Sequence, residues 1–145
     1  PLQSVELYRI MMKTHLKLLI TCLFTLNSSF AFGAWDELGS NEFITVLIDK
    51  SSIKKSGDKV QVLSMLDLKK PGVEPKTKSP VNSIIGLNEY HCGQVQYRPL
   101  EVKFMSGKRG TGKVVEDIKT PDSSFEAIAS GDWPAGVYNL ACRPN

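Results

Sequence analysis

The stretch 43-FITVLIDKSSIKKSGDKVQVLSMLDL-68 decides the fold class. Residues 43–49 are apolar and β-branched, which is typical of a strand. Residues 59–68 alternate in part between apolar and polar side chains, so they form a second predicted strand. The polar residues 51–58 between them include Gly57 and indicate a turn region with a hairpin-like return. The fold is therefore expected to be built around an antiparallel pair of strands.

Further extended runs follow this hairpin, and turn-forming segments separate them. The proline- and lysine-rich residues 69–80 are a predicted surface loop, because proline lacks a backbone donor and lysine resists burial. The glycine-rich residues 106–112 are a predicted tight turn. The other predicted strands are residues 81–92, 94–105 and 113–118, with a loop at 120–124.

Residues 134–142 are the predicted helix. Pro134 suits the first helical turn, and Val137, Leu140 and Ala141 recur at the i, i+3, i+4 spacing of one helix face. A run of strands closed by one helix predicts an α+β domain. We expect an antiparallel β-sheet of about five to six strands with a C-terminal α-helix.

Residues 11–33, MMKTHLKLLITCLFTLNSSFAFG, have the three-part layout of a secretory signal peptide. Lys13 and Lys17 form the positive front, an apolar core follows, and small residues precede a cleavage site before Ala34. The core is too short to span a bilayer, which takes roughly 20 residues. A buried N-terminal helix fits less well, because nothing polar gives the segment a second face. The sequence therefore predicts export.

The residues on either side of this segment have different predicted origins. Residues 1–10 do not fit a signal peptide and are interpreted as sequence upstream of the true start. Residues 34–145 then form one domain of common size. The formal net charge is +3, and the first 33 residues contribute two of these charges. The nearly neutral domain does not have the strong basic charge of a nucleic-acid binder.

The cysteines predict a disulfide. Cleavage of the signal peptide leaves Cys92 and Cys142, and an even pair in an exported domain is typical of a disulfide. Closing a loop of about 51 residues stabilises the fold by roughly 4 kcal/mol in the chain-entropy model. A reactive thiol or a metal pair fits less well, since the sequence has no CxxC motif.

Cys22 raises a second interpretation of the N-terminus. The preceding Leu19-Ile20-Thr21 resembles a lipobox only in part, because Thr21 is a poor fit beside the cysteine. Cleavage near Ala34 is therefore favoured over lipidation. We expect a soluble exported product, in the periplasm or at the outer cell surface.

Charge is distributed unevenly along the mature chain. Residues 50–78 carry lysines in excess, whereas residues 114–145 are acidic. A positive surface of this kind suits sulfated glycans, acidic lipid head groups or acidic proteins. The alternative is an ordinary solvated face with a flexible loop. The candidate contact residues are Lys54, Lys55, Lys69, Lys70, Lys76 and Lys78.

The segment 107-GKRGTGK-113 has the spacing of a phosphate-binding loop. Val114 replaces the Ser/Thr that would hold magnesium, and the following residues favour a strand over the required helix. A hairpin turn is therefore favoured, and no nucleotide is expected as a ligand. A weak anion site on Lys108, Arg109 and Lys113 stays open in such a turn.

No pattern in the sequence commits the chain to catalysis. His91 is the only histidine of the mature chain, and no GxSxG-type motif accompanies it. Asp36/Glu37 and Glu116/Asp117 are neighbours in sequence, so on a strand they would face opposite ways. Zinc, calcium and iron spacings are also missing. We expect a protein that is not an enzyme and needs no cofactor.

Separated residues together match the pattern of one family in their order and spacing. They are Ile48-Asp49, Ser52-Ile53, Gly57, residues 60–68, Glu89-Tyr90-His91-Cys92, Tyr97-Arg98, Ser106-Gly107, residues 110–114 and Cys142. Over roughly residues 35–142 the chain resembles the surface-adhesin protein E family of Gram-negative bacteria. It departs from the family at Phe125, where a tryptophan is usual, and in the approach to the helix through Asp132-Trp133-Pro134-Ala135.

The resemblance implies an antiparallel sheet with a C-terminal helix tied by a disulfide. It also implies binding of host matrix or serum proteins at the bacterial surface. The leading hypothesis is a non-enzymatic envelope protein whose partner is a host extracellular-matrix protein or a sulfated glycan. The alternative is a periplasmic structural or stress-linked accessory protein without a host ligand. An exposed edge strand would permit a homodimer.

Overall fold

The computed structural model describes residues 35–143, which form a seven-stranded antiparallel sheet and a C-terminal α-helix. Six strands lie in chain order across the sheet, and β7 pairs with one end of β5. The elements are β1 (Asp36–Ser40), β2 (Ile44–Ser56), β3 (Lys59–Val73), β4 (Pro80–His91), β5 (Gln96–Met105), β6 (Val114–Lys119), β7 (Glu126–Ala127) and α1 (Trp133–Ala141).

This architecture confirms the predicted fold class and the C-terminal helix. The expected five to six strands omit the short β1 and β7. Both have largely exposed side chains, so neither carries the apolar pattern that identifies a strand in sequence. The predicted signal peptide at 11–33 and the predicted upstream residues 1–10 lie outside the described residues.

The hairpin of β2 and β3 is longer than the sequence predicts. Residues 51–56 were expected in a turn region but belong to β2, where Lys54 pairs with Gln61 and Lys55 with Val60. The turn itself is only Gly57 and Asp58, and Gly57 has a φ of 61°. A register shift between Asp49 and Lys54 lets these polar residues continue the strand.

The predicted loop at 69–80 is likewise wrong for its first half. Residues 69–73 continue β3, and β4 begins at Pro80, so the connection is only residues 74–79. Pro71 lies where the pairing with β4 is interrupted, between Asp67 and Gly72. A proline is tolerated in a strand at such a break, because no ladder hydrogen bond is lost there.

One face of the sheet packs against α1. The apolar side chains that α1 and the sheet bury between them are Ile48, Val60, Val62, Tyr90, Val137 and Ala141. The predicted disulfide joins Cys92 to Cys142, with the two Cα atoms 5.4 Å apart. The Tyr138 hydroxyl also donates to the Cys92 carbonyl at 2.6 Å. Helix α1 is therefore attached to the end of β4 at its last turn.

The opposite face is covered in part by the loop that joins β5 to β6. Leu47, Met65 and Ile85 are cross-strand neighbours on this face. Gly110 of the loop lies against them, with a φ of 74° and an ideal Cβ position 3.0 Å from Met65 Cε and 3.1 Å from Ile85 Cδ1. Glycine is required here both by the backbone conformation and by the close approach.

Candidate functional site

The structure separates the predicted contact lysines into two groups. Lys54 and Lys55 lie near the β2–β3 turn, where Lys55 Nζ donates to the Arg143 carbonyl at 3.2 Å. On β3, Lys54 pairs with Gln61 and Lys55 with Val60, and Lys69 lies eight to nine residues beyond these two partners. At about 3.3 Å per residue, the two groups are roughly 25–30 Å apart. The six predicted lysines therefore do not form one surface.

The lysines at the far end of β3 instead join Lys108 and Arg109, two of the three basic residues of the β5–β6 loop. Lys108 Nζ donates to the Leu68 carbonyl at 2.6 Å, which places the loop directly beside Lys69. We call this end of the sheet the distal basic cluster. Its members are Lys69, Lys70, Lys76, Lys78, Lys108 and Arg109, and all six are exposed.

The β5–β6 loop is held to the sheet by hydrogen bonds from its own backbone. The Arg109 N–H donates to Asp67 at 2.6 Å, and the Gly110 N–H donates to Ser83 Oγ at 2.8 Å. Ser83 Oγ donates in turn to the Gly107 carbonyl at 2.6 Å. These N–H groups point into the protein rather than towards a phosphate. The favoured interpretation of 107–113 as a turn thus agrees with its geometry.

The β3–β4 turn is ordered by a buried carboxylate. Glu74 accepts hydrogen bonds from the N–H groups of Thr77 and Lys76 and from Thr77 Oγ1. The pKa of Glu74 is lowered, chiefly by the backbone hydrogen bond from Thr77 and then by that from Lys76. The Lys78 N–H donates to the Glu74 carbonyl at 2.9 Å. The backbone that carries Lys76 and Lys78 is therefore fixed.

Few negative charges face the distal basic cluster. Asp67 is 7% exposed, accepts from the Arg109 N–H and lies 3.8 Å from Lys108 Nζ. Glu74 is 5% exposed and is occupied by its own turn. Glu42 is an exposed carboxylate at this end, because it precedes Phe43, whose carbonyl accepts the Lys69 N–H. Positive charge therefore exceeds negative charge at this end of the molecule.

A second polar network lies at the opposite end of the sheet. Glu89 accepts from Gln61 Nε2 at 3.1 Å and from Arg98 Nε and Nη2 at 3.0 and 2.8 Å. Burial would raise the pKa of Glu89, but the hydrogen bonds from Gln61 and Arg98 outweigh it, so the pKa is lowered. The Arg98 guanidinium also lies 4.7 Å from the ring centre of Phe125.

His91 takes part in structural contacts. Its Nε2 lies 3.2 Å from Asp58 Oδ2, and its ring meets Phe125 edge-on at 5.9 Å. Its Nδ1 is buried and has no hydrogen-bond partner among the described residues. No described serine hydroxyl hydrogen-bonds to the ring, so a Ser–His pair of the catalytic kind is not formed here.

The helix-side face carries an apolar groove that the sequence did not reveal. It has a volume of about 190 Å³ and lies beside Trp133 and Tyr97. Its floor contains the buried Asn88, whose Nδ2 donates to Ser64 Oγ at 3.2 Å. Trp133 is half-buried and meets the Tyr97 ring edge-on.

Among residues 35–143, no group of three or more His, Cys, Asp or Glu side chains is arranged to hold a metal ion. The single α-helix of the same range is not long and apolar enough to cross a membrane.

Comparison with known families gives one match. The sequence model of the family described as surface-adhesin protein E matches residues 35–143. This range is the same as that of the described structure and covers most of the chain. A comparison with curated protein sequences finds no significant match.

Solved structures of similar fold come from protein E of Haemophilus influenzae. One aligns with a TM-score of 0.54 at 16% identity and covers 79% of this chain and 87% of its own. The crystal structure of protein E from non-typeable Haemophilus influenzae gives 0.53 at 16% identity, with 79% and 78% covered. A second crystal form gives 0.52 at 14% identity, with 72% and 91% covered. At these identities the likeness establishes the fold.

Proposed function

Because this chain belongs to the surface-adhesin protein E family, we propose that it is a non-enzymatic, adhesin-like protein of the bacterial envelope. In this proposal the domain faces outward from the cell and binds a host matrix or serum protein. The match to the family over residues 35–143 is the observation that carries it. The predicted signal peptide at 11–33 supplies the route of export.

The construction of the domain supports a binding role. The loops at the distal end of the sheet are tied down by Asp67, Ser83 and Glu74, so their exposed side chains are presented from a fixed backbone. Preorganisation of this kind lowers the entropy lost on association. His91, the one histidine of residues 35–143, is engaged by Asp58 and Phe125. These contacts of His91 stabilise the fold.

The proposal is tested by adding protease to intact cells of the source bacterium. We expect the domain to be digested while a known periplasmic protein in the same cells survives. Protection of the domain until the outer membrane is opened would contradict the proposal. That result would favour the periplasmic accessory role instead.

Two finer points of the proposal need their own measurements. Binding of a host protein is measured with the full mature chain on immobilised matrix and serum proteins, and saturable binding is expected. A homodimer through the outer edges of β1 or β6 stays a prediction. Light scattering of the mature chain decides between one copy and two.

A further inference from the structure

We propose that the distal basic cluster is a binding site for a linear sulfated polysaccharide. The inference rests on the proposed function, because such polysaccharides belong to the host matrix outside the bacterial cell. It assigns one class of partner to one end of the sheet. Lys54 and Lys55, at the other end of the β2–β3 hairpin, are not part of this site.

The distal basic cluster is assembled from three separate segments. The end of β3 supplies Lys69 and Lys70, and the β3–β4 turn supplies Lys76 and Lys78. The β5–β6 loop brings Lys108 and Arg109 to the end of β3, because Lys108 donates to the Leu68 carbonyl. The cluster is therefore a product of the fold and is more than a run of lysines in the sequence.

The protein carboxylates at this end do not pair with the exposed lysines. Asp67 and Glu74 are both buried and turned inward to hold the loop and the turn. Glu42 is exposed and Glu116 is half-buried, and neither forms an ion pair with a lysine of residues 35–143. Among residues 35–143, Lys69, Lys70 and Lys78 form no ion pair with a carboxylate. Their ammonium groups are exposed and remain solvated, so a polyanion can approach them without first displacing a protein carboxylate.

Exposed apolar side chains at this end are few and separated. The large ones are Phe43, before β2, Val73, at the end of β3, and Val114, at the start of β6. Phe43 and Val73 lie four residues of β3 apart, since Phe43 pairs with Lys69, and therefore roughly 13 Å from each other. Val114 lies three strands away from β3. Separated side chains of this kind do not form an apolar patch for a membrane or a protein core to cover. Charge is the dominant feature, and a sulfated chain offers repeated charge without apolar surface.

The experiment measures binding of heparin, as the probe, to the full mature chain at several salt concentrations. Two double variants remove equal charge from the two ends: Lys69→Gln with Lys70→Gln, and Lys54→Gln with Lys55→Gln. We expect the first variant to bind heparin about fivefold to tenfold more weakly, because each exposed contact contributes modestly. The slope of its log affinity against log salt concentration should become shallower, by the equivalent of about two ionic contacts. The second variant should bind nearly as the unmodified protein does.

The outcomes separate this inference from the proposed function. Equal loss in both variants would overturn the site, because net charge alone would then explain the binding. Stronger binding to vesicles of anionic phospholipid than to heparin, lost in the Lys69/Lys70 variant, would overturn the assigned class of partner. Absence of heparin binding in a domain that is exposed on intact cells would overturn this inference and leave the proposed function standing. Circular dichroism of each variant verifies that the fold is kept.

Discussion

The two faces of the sheet are stabilised in different ways. On the helix side, apolar side chains such as Val62 and Val137 are fully buried, and a disulfide fixes the end of α1. On the loop side, the β5–β6 loop is held by hydrogen bonds to Asp67 and Ser83. Glu89, on the same side, accepts hydrogen bonds from Arg98 and Gln61. Burial stabilises the first face, whereas satisfied polar groups stabilise much of the second.

The contrast between the two faces indicates where the binding residues are placed in the domain. The helix side supplies a stable frame that depends little on the exact position of each polar atom. On the loop side, hydrogen bonds fix the backbone of the β5–β6 loop, which carries Lys108 and Arg109 of the distal basic cluster. We therefore expect large stability losses on the helix side. Losses on the loop side should be smaller but should also affect binding.

The largest expected effect is on the helix side. Replacing Cys92 and Cys142 together with serine opens a loop of 50 positions, and the free energy of unfolding should fall by about 4 kcal/mol. Urea unfolding at pH 7 measures it. Reduction of the unmodified protein is the control and should give a similar loss. An unchanged midpoint after reduction would show that α1 is held by packing alone.

A smaller effect is expected on the loop side from Arg98→Met. The change leaves the carboxylate of Glu89, which is 8% exposed, without its charged partner. The free energy of unfolding should fall by about 2–3 kcal/mol, as for a buried donor–acceptor pair with one member removed. Lys103→Met is the matched control. It removes the more exposed ion pair with Glu101 and should cost below about 1 kcal/mol.

The same carboxylates give the protein a pH dependence. The pKa values of Glu89 and Glu74 are lowered from 4.5 in the folded state, so their stabilisation is complete above that value. It is lost as the pH falls through the folded-state values. Urea unfolding should therefore show falling stability below about pH 4.5. Glu89→Gln should be less stable at pH 7 and should lose part of this slope; a slope equal to that of the unmodified protein would argue against the hydrogen-bonded carboxylate.

The smallest expected effect comes from a pair of glycine variants. Gly110→Ala forces a Cβ against Met65 and Ile85 at a positive φ, and should cost about 2 kcal/mol. Gly57→Ala is the control, because Gly57 has a similar φ with nothing near its Cβ position. It should cost about 1 kcal/mol. Equal losses, measured by thermal unfolding, would mean that the β5–β6 loop is not pressed onto the sheet.

The sequence predicted the helix side more completely than the loop side. Val60 and Val62 alternate in a strand pattern, Val137 and Ala141 repeat at helical spacing, and an even pair of cysteines indicated the disulfide. The strand and helix patterns each lie within one short window of sequence, and the cysteine pair follows from the number of cysteines alone. They were enough to predict the class of fold and the covalent link to α1.

The rest depends on pairings between distant residues. Residues 51–56 and 69–73 are strands because neighbouring strands pair with them, although their own side chains are largely polar. Because β2 and β3 are longer than predicted, Lys54 and Lys69 lie far apart, and the six predicted lysines form two groups. Asp67 and Ser83 contact a loop that lies 42 and 27 positions away, respectively. No local pattern marks such partners.

The disulfide also decides how the domain responds to a pulling force. Because Cys92 is joined to Cys142, tension applied to the two ends of the domain runs through residues 35–92 and crosses directly to residue 142. Those first residues can extend by about 200 Å at roughly 3.5 Å per residue, whereas the enclosed part bears no load. Lys69 lies in the extensible part and Lys108 in the shielded part. A load that unravels β3 would therefore split the distal basic cluster and release a bound polyanion.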